Sequence, residues 1–230
     1  MHVFHKLSQI DRYLLKKNTT AKFFPDYHIS SQEFIGSGLF KTADLNVKGD
    51  HLMIDNELKI CHLGVKQLNS KLAYTQTLFD GVFITKKLKQ SSACYLMGKQ
   101  KDGVKDHKLP KFLMQLTNDD HQFDKDKVQT SSVLFNSSFD VYSKHAKKAE
   151  YILTKSRMQL IGSIHEQLNT LMPRPRRSKN NSPFQILFSF KKDQFYMAIK
   201  NLQMKPPLFF KGRKQHFNAL SNIIEIISKI

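Results

Sequence analysis

The chain has 230 residues, 40% of them hydrophobic and 11% aromatic, a composition that supports a substantial core and excludes a wholly disordered chain. No run approaches the roughly 18 consecutive apolar residues of a membrane-spanning helix. Two cysteines, Cys61 and Cys94, are too few for a disulfide framework or a zinc knuckle. Lys and Arg number 37 against 19 Asp and Glu, a net charge of +18, and the excess is uneven. Residues 1–120 hold 18 basic and 12 acidic groups (+6), and residues 121–230 hold 19 and 7 (+12). Charge of that sign attracts nucleic acid, anionic lipid headgroups or an acidic protein, or simply keeps a surface solvated.

Val3, Leu7, Ile10 and Leu14 fall on one helical stripe and predict an amphipathic helix within residues 1–20 that needs a partner surface, either the single domain expected over 21–230 or a membrane. The segment has no uninterrupted apolar stretch, so it does not read as a secretory signal, and the expected compartment is the cytoplasm. Val47–Ile54 and Leu58–Leu68 read as strands joined by a turn at Asp55-Asn56. Phe79–Lys86 alternates, with Phe79, Gly81, Phe83 and Thr85 on one face and Val82 and Ile84 on the other. Ala93–Met97 reads as a separate short strand, followed by exposed loops over 98–108 and 117–131.

Val133–Tyr142 has strand character interrupted at Asn136-Ser137-Ser138. A short helical turn is expected over Lys144–Tyr151. Thr154 then caps a long helix carrying Met158, Ile161, Ile164, Leu168 and Leu171, which Pro173 stops. Phe184–Phe190 and Phe195–Ile199 predict a hairpin across Lys191-Lys192-Asp193, and Phe217, Leu220, Ile224 and Ile227 line a C-terminal helix. Strands in a run, closed by helices, predict an α+β fold: an antiparallel sheet or partly closed roll, covered on one face by the long helix and the C-terminal helix.

Several of these segments carry a resemblance. Ser132-Val133-Leu134-Phe135, Phe139-Asp140-Val141-Tyr142, then Ala149-Glu150-Tyr151-Ile152-Leu153-Thr154 and Met158 resemble the signature of a bacterial family catalogued as domain of unknown function 3137. Ile186-Leu187-Phe188-Ser189-Phe190 with Tyr196-Met197-Ala198-Ile199 resembles its later strand pair. Phe34, Ser37, Gly38, Leu39 and Phe40, Gly49-Asp50, and Phe79-Asp80-Gly81-Val82-Phe83 resemble its earlier elements, so the likeness spans about residues 27–210. Glu150 stands before Tyr151 where relatives commonly have Arg. The resemblance implies a fold group, no known reaction, and relatives that often carry a pair of transmembrane helices ahead of the domain; this chain resembles the soluble part alone, expected in the cytoplasm and peripheral at the inner face of the membrane.

Catalytic and metal chemistry find little support. His165-Glu166 lies on the long helix, but a zinc-protease helix needs a second histidine four residues on, and position 169 is Asn. Cys61 and His62 are adjacent in a strand and so point to opposite faces, which denies them a nucleophile–base partnership. Cys94, between Ala93 and Tyr95, reads as core. Asp119, Asp120, Asp124 and Asp126 lack the glycine and distal glutamate of a calcium loop and alternate with Lys125 and Lys127. Gly36-Ser37-Gly38 is no phosphate loop and marks a turn. No enzyme activity and no cofactor are expected.

The suggestive residues are cationic. Lys144, Lys147 and Lys148 precede the long helix, Arg174, Arg176, Arg177 and Lys179 occupy an exposed connection after it, and Lys211, Arg213 and Lys214 precede the last helix. Together they are the candidate anion-binding residues, if they share one face. Aromatic residues are expected in strand cores rather than among them. The expected role is a non-catalytic domain that docks on an acidic partner or an anionic membrane surface, with nucleic-acid binding as the alternative.

Overall fold

A computed structural model describes residues 20–40, 45–69, 74–100, 127–170, 184–202 and 213–230. The predicted N-terminal helix, the loops between 101 and 126 and the connection at 171–183 lie outside the described residues. In chain order the elements are β1 (Lys22–Phe24), α1 (Ser31–Gly36), β2 (Leu45–Asp55), β3 (Leu58–Asn69) and β4 (Tyr74–Gln100). They continue with β5 (Lys127–Val128), α2 (Val133–Ser138), β6 (Phe139–Tyr142), α3 (Ala146–Ile152), α4 (Lys155–Thr170), β7 (Gln185–Lys200) and α5 (Arg213–Ser228).

The strands form one antiparallel sheet in the order β1-β2-β3-β4-β6-β5, with β7 along the other edge of β4. β2 and β3 are the expected hairpin: Asp55 pairs with Leu58, and Asn56 takes the left-handed turn conformation (φ 51°), which its short polar side chain tolerates. β4 is a single strand of 27 residues running through both segments that were predicted separately and through Gly98–Gln100, which the sequence places in a loop. It holds β3 along its first half, β6 along its end, and β7 from Gly81 to Lys99 with an irregularity between Lys87 and Leu96.

β7 corrects the predicted hairpin. The chain does not reverse at Lys191-Lys192-Asp193; it kinks there, with Lys192 at φ 55°, and both halves pair with β4. Before the kink the even residues Ile186, Phe188 and Phe190 face the helices, and after it the odd residues Phe195, Met197 and Ile199 do. The pairing register with β4 shifts on both sides of Lys192, between Lys87 and Ser92 and again between Ser92 and Leu96, and the parity changes across that irregularity. A polar break between two apolar runs is the signal for either arrangement, and β4 was long enough to pair with both runs.

Val133–Ser138 is a second correction, since it is helix rather than strand. Ser132 caps it by accepting the Phe135 amide at 3.2 Å, so local capping overrides the strand preference of Val-Leu-Phe. Thr154 caps α4 as expected, accepting the Arg157 amide at 3.3 Å. Met158, Ile161, Ile164 and Leu168 of α4 pack with Leu220, Ile223, Ile224 and Ile227 of α5 over Ile60, Val82, Ile84 and the inward residues of β7.

The sheet is covered on both faces, not one. Cys61, Leu63, Val65, Phe79 and Phe83 form a second core with Ile29, Phe34, Leu39 and Phe40 from the segment preceding β2. Phe34 is fully buried and stacks on Phe40 at 4.6 Å, with Phe83 at 5.1 Å. The six-residue α1 was too short for a periodic signal, so it was not legible as an element.

Candidate functional site

α3 positions the cations that the structure describes. Its buried residues Ala149 and Ile152 fix one face on the domain, and that turns Lys147, Lys148, Glu150 and Tyr151 outward. Lys144 is exposed just before the helix and Lys155 just after it, at the first position of α4. None of Lys144, Lys147, Lys148 and Lys155 has an ion pair or a side-chain hydrogen bond among the described residues. Elsewhere lysines are engaged: Lys59 with Glu33 at 3.1 Å, Lys127 with Asp140 at 2.9 Å, Lys229 with Glu225 at 2.8 Å. Lys86 caps the end of α5 by donating to the carbonyls of Ser228 (2.6 Å) and Ile227 (3.2 Å), where the helix dipole favours a cation.

Tyr151 stands 83% exposed among these lysines, four residues from Lys147 and three from Lys148. An exposed aromatic here runs against the expectation that aromatic residues lie in strand cores. Its spacing from Ala149 and Ile152 was the available signal, because a residue between two inward positions of a short helix faces out. Arg174, Arg176, Arg177, Lys179 and Lys211 lie outside the described residues. Arg213 and Lys214 open α5 rather than preceding it, and their side chains are outside the description. Convergence of the three clusters is therefore not part of the site described.

Between α2 and α4 runs a groove of about 700 Å³, with Leu134 and Ser132 on one wall and Lys155, Gln159 and Glu166 on the other. Gly162 lies on its α4 side with no heavy atom near the place a Cβ would take. The Ser137 and Ser163 hydroxyls donate to carbonyls of their own helices, Leu134 at 2.7 Å and Leu160 at 2.8 Å. His165, also on this wall, meets Phe139 edge to face with centroids 5.9 Å apart; burial lowers its pKa, partly opposed by Glu166.

The other sequence candidates fall where their packing explains them. Cys61 is fully buried on the face opposite the helices, and burial pushes its thiol up to about 12. His62 sits between Asp50 (Nδ1 to Oδ1, 3.7 Å) and Asp80 (Nε2 to Oδ1, 3.3 Å), so the two residues do point apart. That His62 group across three strands was missed by sequence reading, since its carboxylates lie 12 and 18 positions away. Among the described residues no three His, Cys, Asp or Glu side chains are placed to hold a metal ion. The side chain of Cys94 and residues Asp119, Asp120, Asp124 and Asp126 are outside the description.

Gly36-Ser37-Gly38 ends α1 and anchors it. The three carbonyls accept from Lys191 Nζ (2.9 Å), Ser189 Oγ (2.8 Å) and the Tyr95 hydroxyl (2.8 Å) in turn, so the turn is a clasp onto the sheet. Among the described residues no helix is long and apolar enough to cross a membrane.

A family model described as "Protein of unknown function (DUF3137)" matches residues 77–230. The match covers α2, α3, α4, β7 and α5 and leaves the segment from residue 27 to 76, with its Phe34–Phe40 and Gly49-Asp50 elements, outside it. No curated protein matches the chain. The solved structure described as the mycobacterial trehalose monomycolate transport factor A, TtfA, aligns over 96% of this chain and 97% of that one, at 6% identity and a TM-score of 0.39. A likeness that weak carries no functional argument.

Proposed function

The chain belongs to the DUF3137 family of unknown function, and from that premise we propose that it is a non-catalytic domain that docks on an anionic membrane surface through α3. The observation that carries this reading is the group Lys144, Lys147, Lys148 and Lys155, exposed and without acidic partners among the described residues, on and beside the short helix that also exposes Tyr151. Unpaired lysines retain their full attraction for lipid phosphates, worth about 1 kcal/mol each near an anionic surface. A tyrosine among them suits the headgroup region, where its ring is half apolar and its hydroxyl stays wet. The net charge of +18 adds a long-range attraction of the same sign.

One observation favours a second reading. Tyr151 flanked by lysines is also a stacking platform for an unpaired base, which supports nucleic-acid binding. Cosedimentation of the full chain separates the two. Phosphatidylcholine vesicles containing phosphatidylglycerol should pull the protein down at low salt, and pure phosphatidylcholine vesicles should not. Binding to single-stranded RNA with indifference to lipid charge would replace the membrane reading with the second one.

A further inference from the structure

Five large hydrophobic side chains are exposed among the described residues, and three exceed four-fifths exposure: Val133 (82%), Leu134 (82%) and Tyr151. Ile35 stands at 37%, and Tyr27 packs against the edge of Phe24 with centroids 6.1 Å apart. Single apolar residues on a surface need no explanation. Val133 and Leu134 differ in being adjacent and in being held out. Asn136 accepts from the Thr130 amide (3.0 Å) and hydroxyl (2.8 Å) and donates back to the Thr130 carbonyl at 2.8 Å. Ser132 caps the same turn, and Phe135 runs inward to stack on Phe139 at 4.8 Å. Three consecutive apolar residues are thus divided, one anchored in the core and two presented on a braced turn.

The groove beside the turn carries a cation on its other wall. Leu134 and Lys155 line the same groove between α2 and α4, and Lys155 follows the Tyr151 end of α3. We infer that Val133 and Leu134 form an insertion tip that enters the headgroup–acyl boundary of an anionic bilayer while Lys155 stays with the lipid phosphates. The occupant follows from the pairing of chemistries. Aliphatic side chains offer nucleic-acid bases no stacking partner, whereas a bilayer surface presents anionic phosphate and hydrocarbon a few ångströms apart. The inference rests on the membrane reading of α3 and adds a different, salt-resistant component to it.

The chain has no tryptophan, so Leu134→Trp places a single reporter on the tip of the full-length protein. On vesicles containing phosphatidylglycerol its emission should shift to the blue and be quenched by brominated acyl chains. Tyr27→Trp, on the segment that covers the other face of the sheet, should show neither. The double variant Val133→Ser, Leu134→Ser should partition roughly tenfold or more weakly, with an unaltered salt dependence. Both sites are exposed, so circular dichroism should match the parent. Binding to these vesicles with an unquenched Trp at 134 would overturn the tip and leave α3 docking intact. Failure to bind any anionic vesicle, with capture by an acidic peptide or RNA instead, would overturn both.

Discussion

Cys61 shows how far a side chain's surroundings override its intrinsic chemistry. Its thiol donates to the Phe83 carbonyl at 3.8 Å from within the second core, and burial raises its pKa from 9.0 to about 12. In the folded chain the proton therefore stays on, whereas the unfolded chain releases it near pH 9. The unfolded state binds fewer protons across that window, so stability falls as pH rises from 9 towards 12. Tyr95, which burial also pushes up to about 12, acts in the same direction. Urea midpoints followed through this window should decline less steeply for Cys61→Ala than for the parent; identical slopes would place the thiol in water. The same burial predicts that, in a Cys94→Ser background, the remaining thiol resists alkylation until the protein unfolds. The opposition of Cys61 and His62 was legible from strand geometry alone. The carboxylates around His62 were not, because strand register decides them and register is not written in local sequence.

A glycine sets a second residue-scale constraint. Gly98 lies opposite Phe188, whose ring occupies the space where a Cβ would stand: the nearest ring atom is 1.9 Å from that position. Gly98→Ala forces the ring or the strand to move and should cost about 1–3 kcal/mol by overpacking. Thermal denaturation measures it, and a loss below the error of the experiment would mean that the ring turns aside freely.

Among the elements, those with a local signature were readable and those defined by their partners were not. The β2–β3 turn has Asn56, α4 has the Thr154 cap with apolar residues at helical spacing, and α5 has Leu220, Ile224 and Ile227. β7 lacked such a signature: its kink at Lys192 and a hairpin turn use the same residues, and the deciding fact is the length of β4. α2 looked like strand because Val133 and Phe135 favour strands, while its structure depends on the Ser132 cap and the Thr130–Asn136 brace. α1 is held by Phe34 and by the clasp at Gly36-Ser37-Gly38, none of which six residues announce. Phe34→Ala should accordingly cost about 3–5 kcal/mol. Hydrogen exchange should then accelerate first in residues 27–40, ahead of α4 and α5, because Phe34 belongs to the second core alone. Uniform acceleration over both faces of the sheet would show the two cores to be one cooperative unit.

For the whole molecule, the sheet separates packing from presentation. One face is closed by the α1 segment and the other by α4 and α5, so both cores are satisfied without α3 contributing more than Ala149 and Ile152. α3 is free to carry lysines with no ion pair among the described residues, and α2 to carry exposed aliphatic residues. The sequence pointed to Lys144, Lys147 and Lys148 as part of the cationic half of the chain. It did not single out Tyr151 or Lys155, because exposure depends on which face of a short helix the domain covers. Net charge alone would draw the protein to any anionic surface in any orientation, and a docking face is a stronger claim. It is tested by charge reversal at constant net charge. Lys144→Glu, Lys147→Glu, Lys148→Glu takes the chain from +18 to +12, and so does Lys22→Glu, Lys48→Glu, Lys66→Glu on the exposed positions of β1, β2 and β3. Partitioning onto phosphatidylglycerol vesicles should collapse for the α3 variant and persist, modestly weakened, for the strand variant. Equal losses in the two would contradict a docking face on α3 and leave only the bulk charge of the chain.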